Sequence, residues 1–253
     1  MPEVIVLGSG TSNGVPMLGA DYPPAFLANP KNHRTRSSIV IGGPTGNLLV
    51  DCSPELRLQM VRENIKRVEA VLITHTHADH VMGMDDLRSL CMLTGRAIPV
   101  YLLPEYFEDI TRIYPYAFKE FPPGIYVPRF DLIAVPPVLE VGGLSVHTFP
   151  LIHGRWPVVG LRVNRFAYLT DVGEIPAASE AFLADLDVLI LDAVRLKPHP
   201  NHFNFEQALE VAAKYRPRMT YFTHLSHDYD HDVTEKTMPR NVRLAYDGLR
   251  IPI

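Results

Sequence analysis

Cysteine is scarce in this chain: only Cys52 and Cys91 occur among 253 residues, and they do not form a C-x-x-C pair. That excludes a disulfide framework and leaves both thiols as small buried hydrophobes, as expected in a reducing compartment. Basic charge is scarce too. Lys and Arg number 24 against 28 Asp and Glu, for a net charge of -4, with local clusters only at residues 31–36 and Arg216-Pro217-Arg218. A nucleic-acid partner needs a broad basic surface, so this balance argues against one. No apolar run approaches bilayer length, and the start Met1-Pro2-Glu3-Val4 has no basic leader segment. The expectation is a cytoplasmic protein without a membrane anchor.

What is present is a hydrophobic fraction of 47%, enough for one sizeable core over residues 1–253. Short β-branched runs bounded by Gly, Pro and Asp predict strands at 4–7, 38–41, 47–51, 70–74, 100–103, 130–134, 144–150, 158–163, 167–170, 188–192, 219–223, 242–245 and 249–251. Apolar periodicity predicts helices over 54–64, 78–93, 177–184 and 204–214. The pattern is mixed α/β. The Pro- and aromatic-rich stretch 114–137 reads as a loop or lid beside the site, or as a plain surface excursion.

The densest chemistry lies in Leu72-Ile73-Thr74-His75-Thr76-His77-Ala78-Asp79-His80, three imidazoles and a carboxylate directly after an apolar strand. In extended chain His75 and His77 share a face and can converge on one ion. Asp79 and His80 open the next helix and can face a second. Imidazole with carboxylate suits Zn, Mn or Fe, and the lack of thiolate argues against a closed structural zinc. Further polar residues end later apolar strands: His153 after Phe149-Pro150-Leu151-Ile152, Asp171 after Ala167-Tyr168-Leu169-Thr170, and His224 after Tyr221-Phe222-Thr223. Thr74-His75 and Thr223-His224 form a weak echo, as two halves with equivalent metal-bearing loops would.

With these motifs in order, the chain resembles the metallo-β-lactamase superfamily over nearly its whole length. The resemblance implies an αββα sandwich of two mixed β-sheets flanked by helices. It also implies one ion held by His75, His77, His153 and Asp171, and a second by Asp79, His80, Asp171 and His224, with Asp171 bridging. Within the superfamily the chain is most similar to the phosphoribosyl 1,2-cyclic phosphate phosphodiesterase family, the PhnP-type proteins of phosphonate breakdown. Gly8-Ser9-Gly10-Thr11-Ser12-Asn13-Gly14-Val15-Pro16, His33-Arg34-Thr35-Arg36-Ser37-Ser38, Pro200-Asn201-His202 and Thr223-His224-Leu225-Ser226-His227 carry that likeness. One departure stands out. Relatives of this kind can carry a structural zinc on a Cys cluster after the Gly-rich turn, partnered by the residue matching His227, whereas Ala20 to Phe26 has no Cys.

The implied reaction is hydrolysis of a small (cyclic) phosphodiester such as 5-phosphoribosyl 1,2-cyclic phosphate. Two divalent ions, Zn or Mn, lower the pKa of a shared water toward neutrality and offset phosphoryl charge. Asp79 and His202 are the expected catalytic residues, His202 protonating the leaving sugar oxygen. Arg34 and Arg36, with His202, are the expected phosphate contacts, and Asp51 the expected acceptor for a ligand-histidine N–H. A small phosphodiester is the expected partner, with a homodimer as the one assembly considered. RNA 3′-end processing of the tRNase Z kind and hydrolysis of an ester, lactone or thioester on the same fold remain alternatives.

Overall fold

The computed structural model describes residues 2–253. Fourteen strands form: β1 (Glu3–Gly8), β2 (Ser38–Gly42), β3 (Asn47–Val50), β4 (Ala70–Leu72), β5 (Ile98–Leu102), β6 (Phe130–Ala134), β7 (Val138–Val141), β8 (Leu144–His153), β9 (Trp156–Val163), β10 (Phe166–Leu169), β11 (Val188–Asp192), β12 (Met219–Thr223), β13 (Val242–Leu244) and β14 (Arg250–Pro252). Helices α1 (Pro24–Ala28), α2 (Leu56–Arg62), α3 (Ala78–Val81), α4 (Arg88–Thr94), α5 (Phe107–Ile113), α6 (Phe205–Tyr215) and α7 (His231–Glu235) lie among them.

The strands make two seven-stranded sheets, ordered β14-β1-β2-β3-β4-β5-β6 and β7-β8-β9-β10-β11-β12-β13. Each runs through three antiparallel pairings and then three parallel ones. Alternation within strands builds the layers. Val4, Val6, Ile39 and Ile41 face Val146, Leu161, Tyr168 and Ile190 between the sheets. Ile5, Leu7, Val40 and Leu49 point outward onto Leu56, Met60, Leu87 and Cys91. Leu151, Leu189, Leu191 and Phe222 likewise pack on Ala208 and Ala212 of α6. The result is the expected αββα sandwich, with both cysteines buried and free. Among the described residues no helix is long and apolar enough to cross a membrane.

Several local expectations change. The helix expected over 78–93 breaks into α3, a 3-10 turn at Met84–Leu87 and α4. Gly83 marks the break, because its backbone packs so closely that a β-carbon there would lie 1.9 Å from the Ser53 carbonyl oxygen. Strand β8 continues past Pro150 to His153: its pairing with β7 ends at His147, so the missing proline N–H costs no ladder bond on that side. The strand Val138–Val141 and the helix Phe107–Ile113 were not expected from the pattern. The Thr-His echo joins non-equivalent places, since His75 follows β4, the fifth strand of its sheet, and His224 follows β12, the sixth. The equivalent fourth strands, β3 and β10, lead instead to Asp51 and Asp171.

Candidate metal centre

The site lies where the strands of both sheets end. His75 and His77 follow β4, and Asp79 and His80 begin the short helix α3. His153 ends β8, Asp171 follows β10 and His224 follows β12. Folding brings these residues together in two groups sharing Asp171. One is His75, His77, His153 and Asp171; the other is Asp79, His80, Asp171 and His224, and within each group one atom per residue lies within 4.8 Å of the rest.

Their polar atoms face one another, and several make no hydrogen bond. His75 Nε2 sits 2.9 Å from His77 Nδ1, and His80 Nε2 lies 3.3 Å from both Asp79 Oδ2 and Asp171 Oδ2. His224 Nδ1 approaches Asp171 Oδ1 at 2.5 Å. Yet Asp79 Oδ2, His80 Nε2 and His224 Nδ1 are buried with no hydrogen-bond partner. Buried polar atoms are almost always paired, so this convergence of lone pairs fits a bound cation.

The electrostatics divide the cluster: burial would lower His80, but Asp171, Asp79 and Asp51 hold it well above the usual imidazole pKa, so a positive charge is favoured among these carboxylates. Burial, reinforced by the nearby His80 charge, holds His75 well below the usual imidazole pKa. Burial likewise lowers His77 and His153, leaving neutral rings of the kind a cation binds. Burial would raise the Asp171 carboxyl, but His224 and His80 overcome it and hold the group well below the usual carboxylate range. Asp79 is lowered in the same way, His80 outweighing burial.

A second layer orients the rings. His80 Nδ1 donates to Asp51 Oδ2 at 2.8 Å, as expected of Asp51, which also accepts from the Thr74 N–H and hydroxyl at 2.8 and 2.9 Å. His153 Nδ1 donates to the Asn201 carbonyl at 2.9 Å. Asp51 and His224 take left-handed backbone, at φ 62° and 58°. Such conformations are costly outside glycine and cluster at functional sites.

His202 stands beside both groups, its ring centroid 4.3 Å from that of His153 and 4.9 Å from that of His224. Its Nδ1 donates to Asp192 Oδ2 at 2.6 Å. Burial would lower this imidazole, but the charge and hydrogen bond of Asp192 prevail and raise it to about 9. Asp192 itself was missed. It ends the apolar strand β11 as Asp171 follows β10, the same signal that found the others.

The arginine expectation is corrected. Arg34 is buried, 1% exposed, with its guanidinium donating to the Ser226 and Tyr229 carbonyls and to Asn32. It fastens the 226–229 segment and is not open to a phosphate. Arg36 pairs with Glu55 and donates to the Ser12 carbonyl. Arg34 thus holds the 226–229 segment, and Arg36 ties the Gly-rich turn to Glu55. Residues 119–127 line a cavity of about 410 Å³ with Cys91, Met92, Gly95 and Arg129, and none of the seven clustered residues reaches it. That part of the 114–137 stretch lies away from the clustered residues, while Tyr114 at its start donates its hydroxyl to the Val81 carbonyl of α3. His227 is half-exposed against the edge of Tyr22, at 6.3 Å between centroids, and Tyr22 stacks on Phe26. Aromatic packing occupies the loop that has no Cys.

Comparison with known proteins settles the lineage. A family model described as a β-lactamase superfamily domain matches residues 46–225. The crystal structure of a new diphosphatase from the PhnP family superposes with a TM-score of 0.92 at 36% identity, covering 100% of this chain and 98% of that one. The chain belongs to the PhnP family of the β-lactamase superfamily. This PhnP-family chain is also 35% identical over 251 residues to an octanoyltransferase of Porphyromonas gingivalis, matching 97% of the chain and 50% of that relative. A ribonuclease Z of Azobacteroides pseudotrichonymphae is 31% identical over 137 residues, 53% of the chain and 47% of the relative. The chain spans about half the length of these curated relatives. It has the metallo-β-lactamase fold, and its clustered His and Asp residues can hold divalent ions.

Proposed function

We propose that this chain hydrolyses a small phosphodiester of the broad class that includes 5-phosphoribosyl 1,2-cyclic phosphate, using two divalent ions in the two groups that share Asp171. The observation that carries the reading is His202: it stands against both groups, belongs to neither ligand set, and is anchored through Nδ1 to the buried Asp192. When bound, the ions supply Lewis acidity, making a nucleophile from water near neutral pH and offsetting charge on the phosphoryl oxygens.

The chain's own residues do the rest. Asp51 and the Asn201 carbonyl fix the tautomers of His80 and His153, so that the remaining ring nitrogens keep their lone pairs turned inward. Asp192 keeps a proton on His202 Nδ1, and the raised pKa keeps a second on Nε2 at neutral pH. As the phosphorus–oxygen bond to the sugar breaks, Nε2 gives its proton to the departing oxygen, which would otherwise leave as a poor alkoxide. The family likeness to a diphosphatase supports a phosphoryl centre. The octanoyltransferase name belongs to a protein twice this length. Turnover of bis(p-nitrophenyl) phosphate, p-nitrophenyl phosphate and p-nitrophenyl acetate by the metal-loaded protein tests the reading. The bis-ester should be fastest, and a faster monoester or acetate overturns it.

A further inference from the structure

We propose that Trp156 is a stacking platform for a planar ring in the substrate, so that the phosphoester offered to the metal groups is one bearing a nucleobase. The proposal deepens the phosphodiesterase reading and rests on it. Trp156 is the chain's single tryptophan, and it is 38% exposed. A tryptophan that served packing alone would gain by burying that surface.

The hairpin explains its position. Strands β8 and β9 join through the two residues Gly154 and Arg155, with Gly154 at φ 61° in the first central place, as a type II′ turn requires. His153 and Trp156 are therefore cross-strand partners. Directly opposed residues project from the same face with β-carbons about 5 Å apart. His153 belongs to the first ligand group, so register alone sets the indole at the margin of that group. Its ring also meets His77 edge-on, with centroids 5.9 Å apart and planes at 76°.

Two contacts brace the platform. Tyr106, itself buried, donates its hydroxyl to the Pro157 carbonyl at 2.6 Å and ties the start of β9 to the other sheet's side of the molecule. The Arg155 guanidinium lies over the indole, 5.1 Å from its centroid. A part-exposed indole with a guanidinium over it thus stands at the metal groups, the pairing that a phosphate linked to a nucleobase satisfies at once. A puckered pentose without a base offers the indole a smaller and less complementary face.

Because Trp156 is the one tryptophan, fluorescence excited selectively in indole reports on this position alone. Metal-loaded protein titrated with adenosine 5′-monophosphate should show saturable quenching, and ribose 5-phosphate should bind about tenfold or more weakly. By calorimetry, Trp156→Ala should lose about 5- to 150-fold in affinity for the nucleotide and little for the sugar phosphate. Trp156→Phe, which keeps a ring, should recover most of the loss. Absent quenching, equal affinity for the two ligands, or an unchanged nucleotide affinity in Trp156→Ala overturns the proposal. If Trp156→Ala does not fold, the wild-type titrations and Trp156→Phe decide. Hydrolysis of bis(p-nitrophenyl) phosphate by the wild type judges the phosphodiesterase reading separately, since binding of the monophosphate needs no turnover.

Discussion

Asp51 and His80 meet in a 2.8 Å hydrogen bond from which solvent is fully excluded. The bond fixes a proton on His80 Nδ1 and so turns Nε2 toward Asp79 and Asp171, each 3.3 Å away. It joins the end of one strand to the first turn of the helix that carries two of the clustered residues, Asp79 and His80.

Asp51→Asn should therefore weaken metal binding about 10- to 100-fold. Asparagine tolerates the left-handed backbone at this position, so the fold should persist. Chelator competition measures the affinity, and an unaltered value would show that Asp51 only braces Thr74.

Asp171 is shared by both ligand groups. Asp171→Ala should lower occupancy at both positions, where His153→Ala should act mainly on the first. Elemental analysis of dialysed protein distinguishes them, and full occupancy in Asp171→Ala would remove the bridging assignment.

His202→Ala should leave metal content intact and lower kcat by about 10²- to 10⁴-fold on a diester with a poor leaving group. The loss should shrink for p-nitrophenolate, which departs unaided. Because Asp192 raises the His202 pKa to about 9, the proton-donating form is lost as pH rises through that value, and positive charge bound nearby moves the loss to lower pH. Equal losses on both substrates would make His202 a positioning residue instead.

His231 governs acid stability. It is 1% exposed, neither ring nitrogen makes a hydrogen bond although Glu235 Oε1 lies 3.5 Å from Nε2, and burial with the charges of Lys31 and Arg34 outweighs Asp232 and Asp230 and lowers its pKa to about 4. The folded pKa lies below the unfolded value of about 6.5, so between these values the unfolded chain binds more protons. Stability from this group is complete above about 6.5 and falls as pH drops toward 4, by up to about 3 kcal/mol. Urea titrations across that window should show His231→Phe losing less stability than wild type; parallel losses in the two proteins would contradict the assignment.

Much of the site was legible because its residues obey local rules. His75 and His77 sit two apart on extended chain and Asp79 and His80 open a helix, so spacing alone brings each pair to one face. His153, Asp171 and His224 each follow an apolar run, and a polar group at a strand end is where a sandwich exposes its edge. The same rule applied to β11 would have found Asp192, which carried no further mark in the chain. Which strand ends become neighbours is another matter. The Thr-His echo suggested that His75 and His224 were counterparts, but strand order makes Asp51 and Asp171 the equivalent pair. Arg34 looked like a surface cation until folding brought the Ser226 and Tyr229 carbonyls around it. Trp156 gave no signal at all, because its meaning lies in a register with His153 and in contact with His77. Periodicity and strand-end chemistry are properties of a few consecutive residues, so the sequence alone marked most of the strands and the seven residues that cluster. Partnership depends on sheet order and long-range pairing, and only the tertiary structure decided which groups orient, which are buried and which stand open beside the site.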